Sequence, residues 1–217
     1  ILTNQGVGIW KGNTTAEFLE SRGLDYEPGA SLGPLYGYSW RFWNAPYTGC
    51  ETDYTGQGID QLQKVINDLK NPETRNSRRH VISAWNPEHL DEGVLPPCHI
   101  LFQFFVTDGN KLSCVLYQRA NDEFLGIPIN CLSYSVLTCI IAKICDLEPY
   151  EFIHFGGDTH IYDDCFSQVT EQITRTPYQF PTLEILNKRE NINDYVIEDF
   201  KIHDYQHHPQ IKAAMRA

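Results

Sequence analysis

The chain has 217 residues, a net charge of −11, 41% hydrophobic and 21% charged residues. That length suits one substantial core in one domain, and the composition excludes disordered, collagen-like and low-complexity classes. The acidic balance argues against a nucleic-acid surface, which needs a basic field. An anionic substrate would have to meet positive charge concentrated at one site. The cysteines, seven in all, form no CxxC pair, so zinc and thioredoxin-like readings lose support. Free thiols in apolar runs point to a reducing compartment, cytoplasm or nucleus. No apolar run approaches the roughly 20 residues that span a bilayer; the longest, near 131–145, is broken by Lys143. The chain opens on Ile1-Leu2-Thr3 with no secretory signal, so an N-terminal segment is expected upstream.

In chain order, residues 14–22 read as a short helix that Thr14 or Thr15 can cap and Gly23 ends. Residues 25–38, rich in Gly and Pro, read as loop. Residues 58–70 carry Ile59, Leu62, Val65, Ile66 and Leu69 at helical spacing. A polar stretch, 71–79, ends in Arg78-Arg79, and 80–86 reads as a short strand. Residues 99–106 are almost continuously apolar, the pattern of a strand buried on both faces. Asp108-Gly109 signals a hairpin, with 111–119 as the return strand. A two-residue loop would set Thr107 opposite Asn110 and Cys98 opposite Arg119; a slip by one would undo that. Residues 131–145 read as a long buried helix, and 152–155 and 183–186 as further strands. The tail, 193–208, alternates and then turns polar. The expected fold is α+β, a single domain with a mixed sheet and a long buried helix.

Five places carry the chemistry. Cys98, in LPPCH, follows two stiffening prolines and precedes His99 and a strand. A nucleophilic thiol needs its pKa lowered, usually by positive charge, and Arg119 supplies that charge if the hairpin register holds. The other six cysteines are assigned to packing. An arginine ending an apolar strand needs an acidic partner or an anionic ligand, and bidentate contact with phosphate is a common answer. Arg78 and Arg79 read, on spacing alone, as a solvated loop. In NDEFLGIPIN, Gly126 and Pro128 mark a turn between Asp122 and Asn130. Asn130 reads as a helix N-cap, or as an amide that meets the donor and acceptor edge of a ring such as uracil. In GGDTHIY, Gly156-Gly157 permits tight backbone geometry. His160 and Tyr162 share one face if extended and could bond a sugar hydroxyl. With Asp158 they are too sparse for a metal, so no metal is expected.

LGPLYGYSWR (32–41), SRRHVISAWNP (77–87), LPPCH (95–99), YQRANDEFLGIPIN (117–130), GGDTHIY (156–162) and DYQHHPQIK (204–212) occur in this order. Together they resemble the corresponding blocks of thymidylate synthases over nearly the whole chain. The resemblance implies methylation of dUMP to dTMP, with 5,10-methylenetetrahydrofolate as carbon donor and reductant. Cys98 would attack C6 of the uracil. Arg119 would bind the phosphate near the Cys98 sulfur, and Asn130 would hold the uracil edge. His160 and Tyr162 would take the ribose hydroxyl. Asp122 would bond the pterin, with Ile9, Trp10 and Leu95 packing beside the reduced folate. Tyr36 would assist proton removal from C5, and His99 would join a water network near O4. Arg78 and Arg79 would reach the phosphate of the partner subunit in a homodimer. The C-terminal residues, ending in Ala217, would close as a lid.

Three departures from the family accompany these matches. Ala120 stands where a serine follows the phosphate arginine. The arginine loop and catalytic glutamate of the family's N-terminal segment do not occur in these residues. Met215-Arg216-Ala217 replace the usual small aliphatic end. Two alternatives stay open at this point: a dUMP or dCMP hydroxymethylase, and a nucleotide-binding remnant without catalysis.

Overall fold

The computed structural model describes residues 6–8, 10–24 and 32–214. Ile9, the C-terminal Ala217 and residues 25–31 of the 25–38 stretch lie outside the described residues.

Helix α1 spans Ala16–Ser21; the Thr15 hydroxyl accepts from the Phe18 N–H, and Gly23 at φ +73° ends it. Helix α2, Tyr36–Arg41, begins inside the 25–38 stretch that reads as loop. It is one short turn and a half, and no side chain caps its start, so the sequence carries no start signal for it. Helix α3, Gln61–Lys70, starts where Asp60 accepts from the Gln63 N–H at 2.8 Å. It buries Leu62, Val65, Ile66 and Leu69. Ile59 falls outside α3, bridged to Trp43 and largely exposed.

The central sheet has four strands in the order β1 (Val81–Ser83), β2 (His99–Thr107), β3 (Lys111–Asp122), β4 (Glu148–His160). β1, β2 and β3 run antiparallel, and β4 is parallel to β3, so the sheet is mixed. The parallel step needs a crossover, supplied by the long helix α4, Gly126–Ile144. A separate antiparallel pair, β5 (Thr182–Ile185) and β6 (Phe200–His203), follows the short helix α5, Phe166–Ile173.

One sheet face carries Ile82, Phe102, Phe104, Leu112, Cys114 and Leu116, all buried, and packs on α3 and α4. The opposite face does not match the expectation of burial on both sides. Leu101, Tyr117 and Phe155 pair in register across it, and Tyr117 and Phe155 are 40% and 57% exposed. No element among the described residues covers this face, so its apolar residues stay open in the single chain.

α4 starts five residues earlier than its pattern suggested, because Gly126 and Pro128 form its first turn. Proline is tolerated there, where its missing N–H would have had no partner. The full helix has 19 residues and is, by length and composition, long and apolar enough to cross a bilayer, which corrects the reading from the run alone. In the fold its Tyr134, Thr138, Ile141, Ala142 and Ile144 lie buried.

The β2–β3 register differs from the expectation twice, and the differences cancel. The loop has three residues, Asp108 to Asn110, with Asp108 and Gly109 at φ +50° and +83°, so Thr107 faces Lys111. Every pair from there to Leu101–Tyr117 is one step off the two-residue expectation. A bulge between His99 and Leu101 then restores the step, and His99 faces Gln118. Beyond it the Arg119 N–H donates to the Cys98 carbonyl at 2.8 Å.

Candidate active site

Strands β3 and β4 end together beside the start of α4. Carboxyl ends of parallel strands next to a helix N-terminus are a common place for ligands. A cavity of about 270 Å³ opens there, lined by Trp10, Tyr36, Leu95, Pro96, Cys98, His99, Gln118, Arg119, Ala120, Asp122, Gly126, Asn130, His160 and Tyr162. Nearly every expected site residue of this chain that the structure describes is in that lining. Arg78 and Arg79 are not: they sit exposed on the approach to β1.

Cys98 is half-buried at the entry to β2. Burial pushes its thiol above the ordinary value, against the downward pull of the Arg119 charge and of a hydrogen bond from Tyr36. The expected activating charge is therefore in place, but it does not win: burial outweighs it. Tyr36 is itself held well above its usual range, chiefly by burial. It is a neutral phenol, and its oxygen accepts the Cys98 N–H at 2.9 Å.

Arg119 is built in from two sides. Its Nε and Nη2 donate to the carbonyls of Pro97 and Pro96 at 2.8 and 2.9 Å. Its guanidinium lies 5.5 Å from the centre of the Trp85 ring. Nη1 makes no hydrogen bond within the described residues. The two prolines thus do more than stiffen the approach to Cys98. Their carbonyls aim the arginine.

Gly156 and Gly157 serve this strand end by close approach. A Cβ at Gly157 would lie 2.8 Å from the Arg119 carbonyl, and one at Gly156 would lie 2.8 Å from the Asn121 amide.

Asn130 lies inside the first turns of α4 and is not its N-cap. Its Oδ1 accepts from Gln118 Nε2 at 3.0 Å, and the same Nε2 donates to the Ala120 carbonyl. The sequence reading missed Gln118, which is 2% exposed. The available signal was a glutamine inside an apolar strand, one residue before Arg119 and so on the other face.

Asp122 accepts from the Phe124 and Leu125 N–H groups through Oδ1, shaping the turn into α4. Its other oxygen makes no bond among the described residues. His160 Nδ1 lies 2.7 Å from Asp158, and its ring meets Tyr162 edge-on at 5.0 Å. Of the other cysteines, Cys114, Cys145 and Cys165 are buried and Cys131 and Cys139 half-buried, but Cys50 is exposed, so packing does not explain it. Among the described residues no three His, Cys, Asp or Glu side chains gather to hold a metal.

The family model described as "Thymidylate synthase" matches residues 1–217. The chain belongs to the thymidylate synthase family. It is 48% identical to thymidylate synthase of Saccharomyces cerevisiae over 99% of this chain and 73% of that protein. It is 46% identical to the bifunctional dihydrofolate reductase-thymidylate synthase of Plasmodium chabaudi, over 100% of this chain and 36% of that protein. Thymidylate synthase of human herpesvirus 8 is 46% identical over 99% of this chain and 63% of that protein.

The balance at Cys98 gives one expected outcome. Replacing Arg119 with Ala removes the downward pull on the thiol, so iodoacetamide alkylation of Cys98 at pH 8 should slow and its pH profile move upward. An unchanged profile would show that the two side chains are not electrostatically coupled.

Proposed function

We propose that this chain methylates C5 of dUMP to give dTMP and dihydrofolate, with Cys98 as a transient covalent nucleophile. The observation that carries this reading is the convergence of Cys98, Arg119, Asn130, Asp122, His160 and Tyr162 on one cavity. Each suits a different part of the substrates. Arg119 offers Nη1 to the phosphate from a guanidinium already fixed by two carbonyls, so little rotamer freedom is lost on binding. Asn130, held by Gln118, meets the uracil edge. His160, oriented by Asp158, and Tyr162 take the ribose hydroxyl.

Cys98 gives its proton to solvent water, and the thiolate sulfur adds to C6. The S–C6 bond forms as the C5=C6 electron pair moves toward C4=O4, which makes C5 nucleophilic. Fixed donors near O4 stabilise the charge that develops there. Tyr36, beside Cys98 and neutral, is placed to relay the proton later lost from C5.

5,10-Methylenetetrahydrofolate supplies both the one-carbon unit and the hydride. This chain's residues fit such a co-substrate. The outer oxygen of Asp122 is available to the amino-pterin edge. Trp10, 40% exposed at the cavity, offers a flat face, with Leu95 beside it.

The open sheet face supports a homodimer, in which a second copy covers Leu101, Tyr117 and Phe155. Arg78 and Arg79, exposed beside β1, then serve the phosphate of the partner's site. The seven free thiols fit a reducing compartment, the cytoplasm or nucleus.

Supplying the full-length protein with dUMP tritiated at C5 and methylenetetrahydrofolate should release tritium and form dihydrofolate together. Cys98→Ser should abolish both while leaving the circular dichroism spectrum unchanged. Tritium release without dihydrofolate would indicate a hydroxymethylase, and neither signal would indicate a binding protein. Ala120→Ser should restore one phosphate hydrogen bond worth about 1 kcal/mol, tightening dUMP roughly fivefold by calorimetry. Mixing the inactive Cys98→Ser protein with an inactive Arg78→Ala/Arg79→Ala protein should regenerate activity. Persistent inactivity after subunit exchange would refute the shared site.

A further inference from the structure

Two tyrosines hold the His99 ring. Tyr36 stacks on it with centroids 3.8 Å apart and planes 6° from parallel. Tyr134 meets it edge-on at 5.4 Å, and the Tyr134 hydroxyl lies 2.7 Å from Nδ1. Nε2 makes no hydrogen bond within the described residues, and the ring lines the Cys98 cavity. The orientation of this imidazole is therefore fixed, and the chemistry it offers the cavity depends on which nitrogen carries the proton.

Tyr134 belongs to α4 and is 2% exposed. Its ring lies among Trp40, Phe102 and Phe152, with centroids 6.1, 5.0 and 6.1 Å away. Among the described residues, His99 Nδ1 is the only hydrogen-bond partner of its hydroxyl. If Nδ1 carried the proton, it would donate to the phenol oxygen, and the phenol O–H would have no acceptor inside an aromatic box. A buried donor without an acceptor is the costlier arrangement. With the phenol as donor, both groups are satisfied.

We propose that Tyr134 is a positioning residue that donates to His99 Nδ1 and so fixes the neutral tautomer with the proton on Nε2, pointing a hydrogen-bond donor into the Cys98 cavity. The charge states agree with this. Burial lowers the His99 pKa to about 4, so the ring is neutral at pH 7. The same burial holds the Tyr134 phenol far above its usual range, so it keeps its proton to donate. The functional half rests on the dUMP reading. The Nε2–H donates, directly or through one water, to O4 as that oxygen gains charge when the sulfur adds to C6. A neutral donor supplies this without leaving an unpaired cation in a half-buried pocket.

The test is nitrogen NMR of the full chain labelled with 15N-histidine and carrying no nucleotide. His99 is assigned by the cross-peaks that disappear in His99→Gln. The wild-type ring should show a bare, pyridine-like Nδ1 and a protonated, pyrrole-like Nε2 from pH 6 to 8. In Tyr134→Phe the two shifts should move toward a tautomer mixture, and kcat should fall about tenfold with KM for dUMP nearly unchanged. A wild-type spectrum with the proton on Nδ1 would overturn the proposal, whether or not Tyr134→Phe folds. An unchanged tautomer in Tyr134→Phe would overturn the role of Tyr134. A mixed tautomer with unchanged kcat would overturn the functional half. Because the tautomer is read without substrate, failure of the methylation reading is seen separately, as absence of tritium release in the wild type.

Discussion

The site depends on one constraint: the seam where β2 enters the sheet and β3 leaves it must set Cys98 beside Arg119. A backbone hydrogen bond closes that seam, from the Arg119 N–H to the Cys98 carbonyl. The carbonyls of Pro96 and Pro97 then fold the guanidinium back over the same strand entry. Nucleophile and cation are thus held by main chain, which cannot swing away as a long side chain can. The glycine pair of β4 lets that strand approach closely enough to complete the cavity wall, and α4 starts where the two parallel strands stop. The remaining lining residues hang from this frame.

Much of this was legible in the sequence, for physical reasons that differ by element. Helix α3 announced itself through apolar positions at helical spacing, four of which the helix buries. The mixed sheet followed from apolar runs and a glycine turn. The apposition of Cys98 and Arg119 was also read correctly, but through a register that fails in the middle of the hairpin. The loop is one residue longer than expected, and the bulge near His99 takes back the same step. Two local irregularities of opposite effect cannot be seen from alternation, because bulges leave the apolar pattern of each strand intact on either side. The start of α4 was misplaced because Gly126 and Pro128 normally mark turns, and only the packed fold makes them a first helical turn.

What stayed illegible are two buried polar side chains, one in the cavity wall and one behind it. Gln118 and Tyr134 touch the site residues and not the solvent. Their roles depend on distances across the sheet, between a strand and a helix, that no local window contains. The charge on Cys98 was half legible. The nearby arginine could be inferred from pairing, but the desolvation that outweighs it depends on burial by segments distant in the chain, such as the one that carries Tyr36.

The raised pKa of Cys98 has a consequence for chemical durability. Peroxides and other electrophilic oxidants attack the thiolate form of sulfur. A thiol held above its ordinary value by burial presents little thiolate at neutral pH. The sulfur that must form the carbon bond is thereby shielded from the sulfenic and sulfinic acid ladder that consumes low-pKa, exposed cysteines. The enclosure that makes Cys98 a slower nucleophile in isolation slows its oxidation for the same reason.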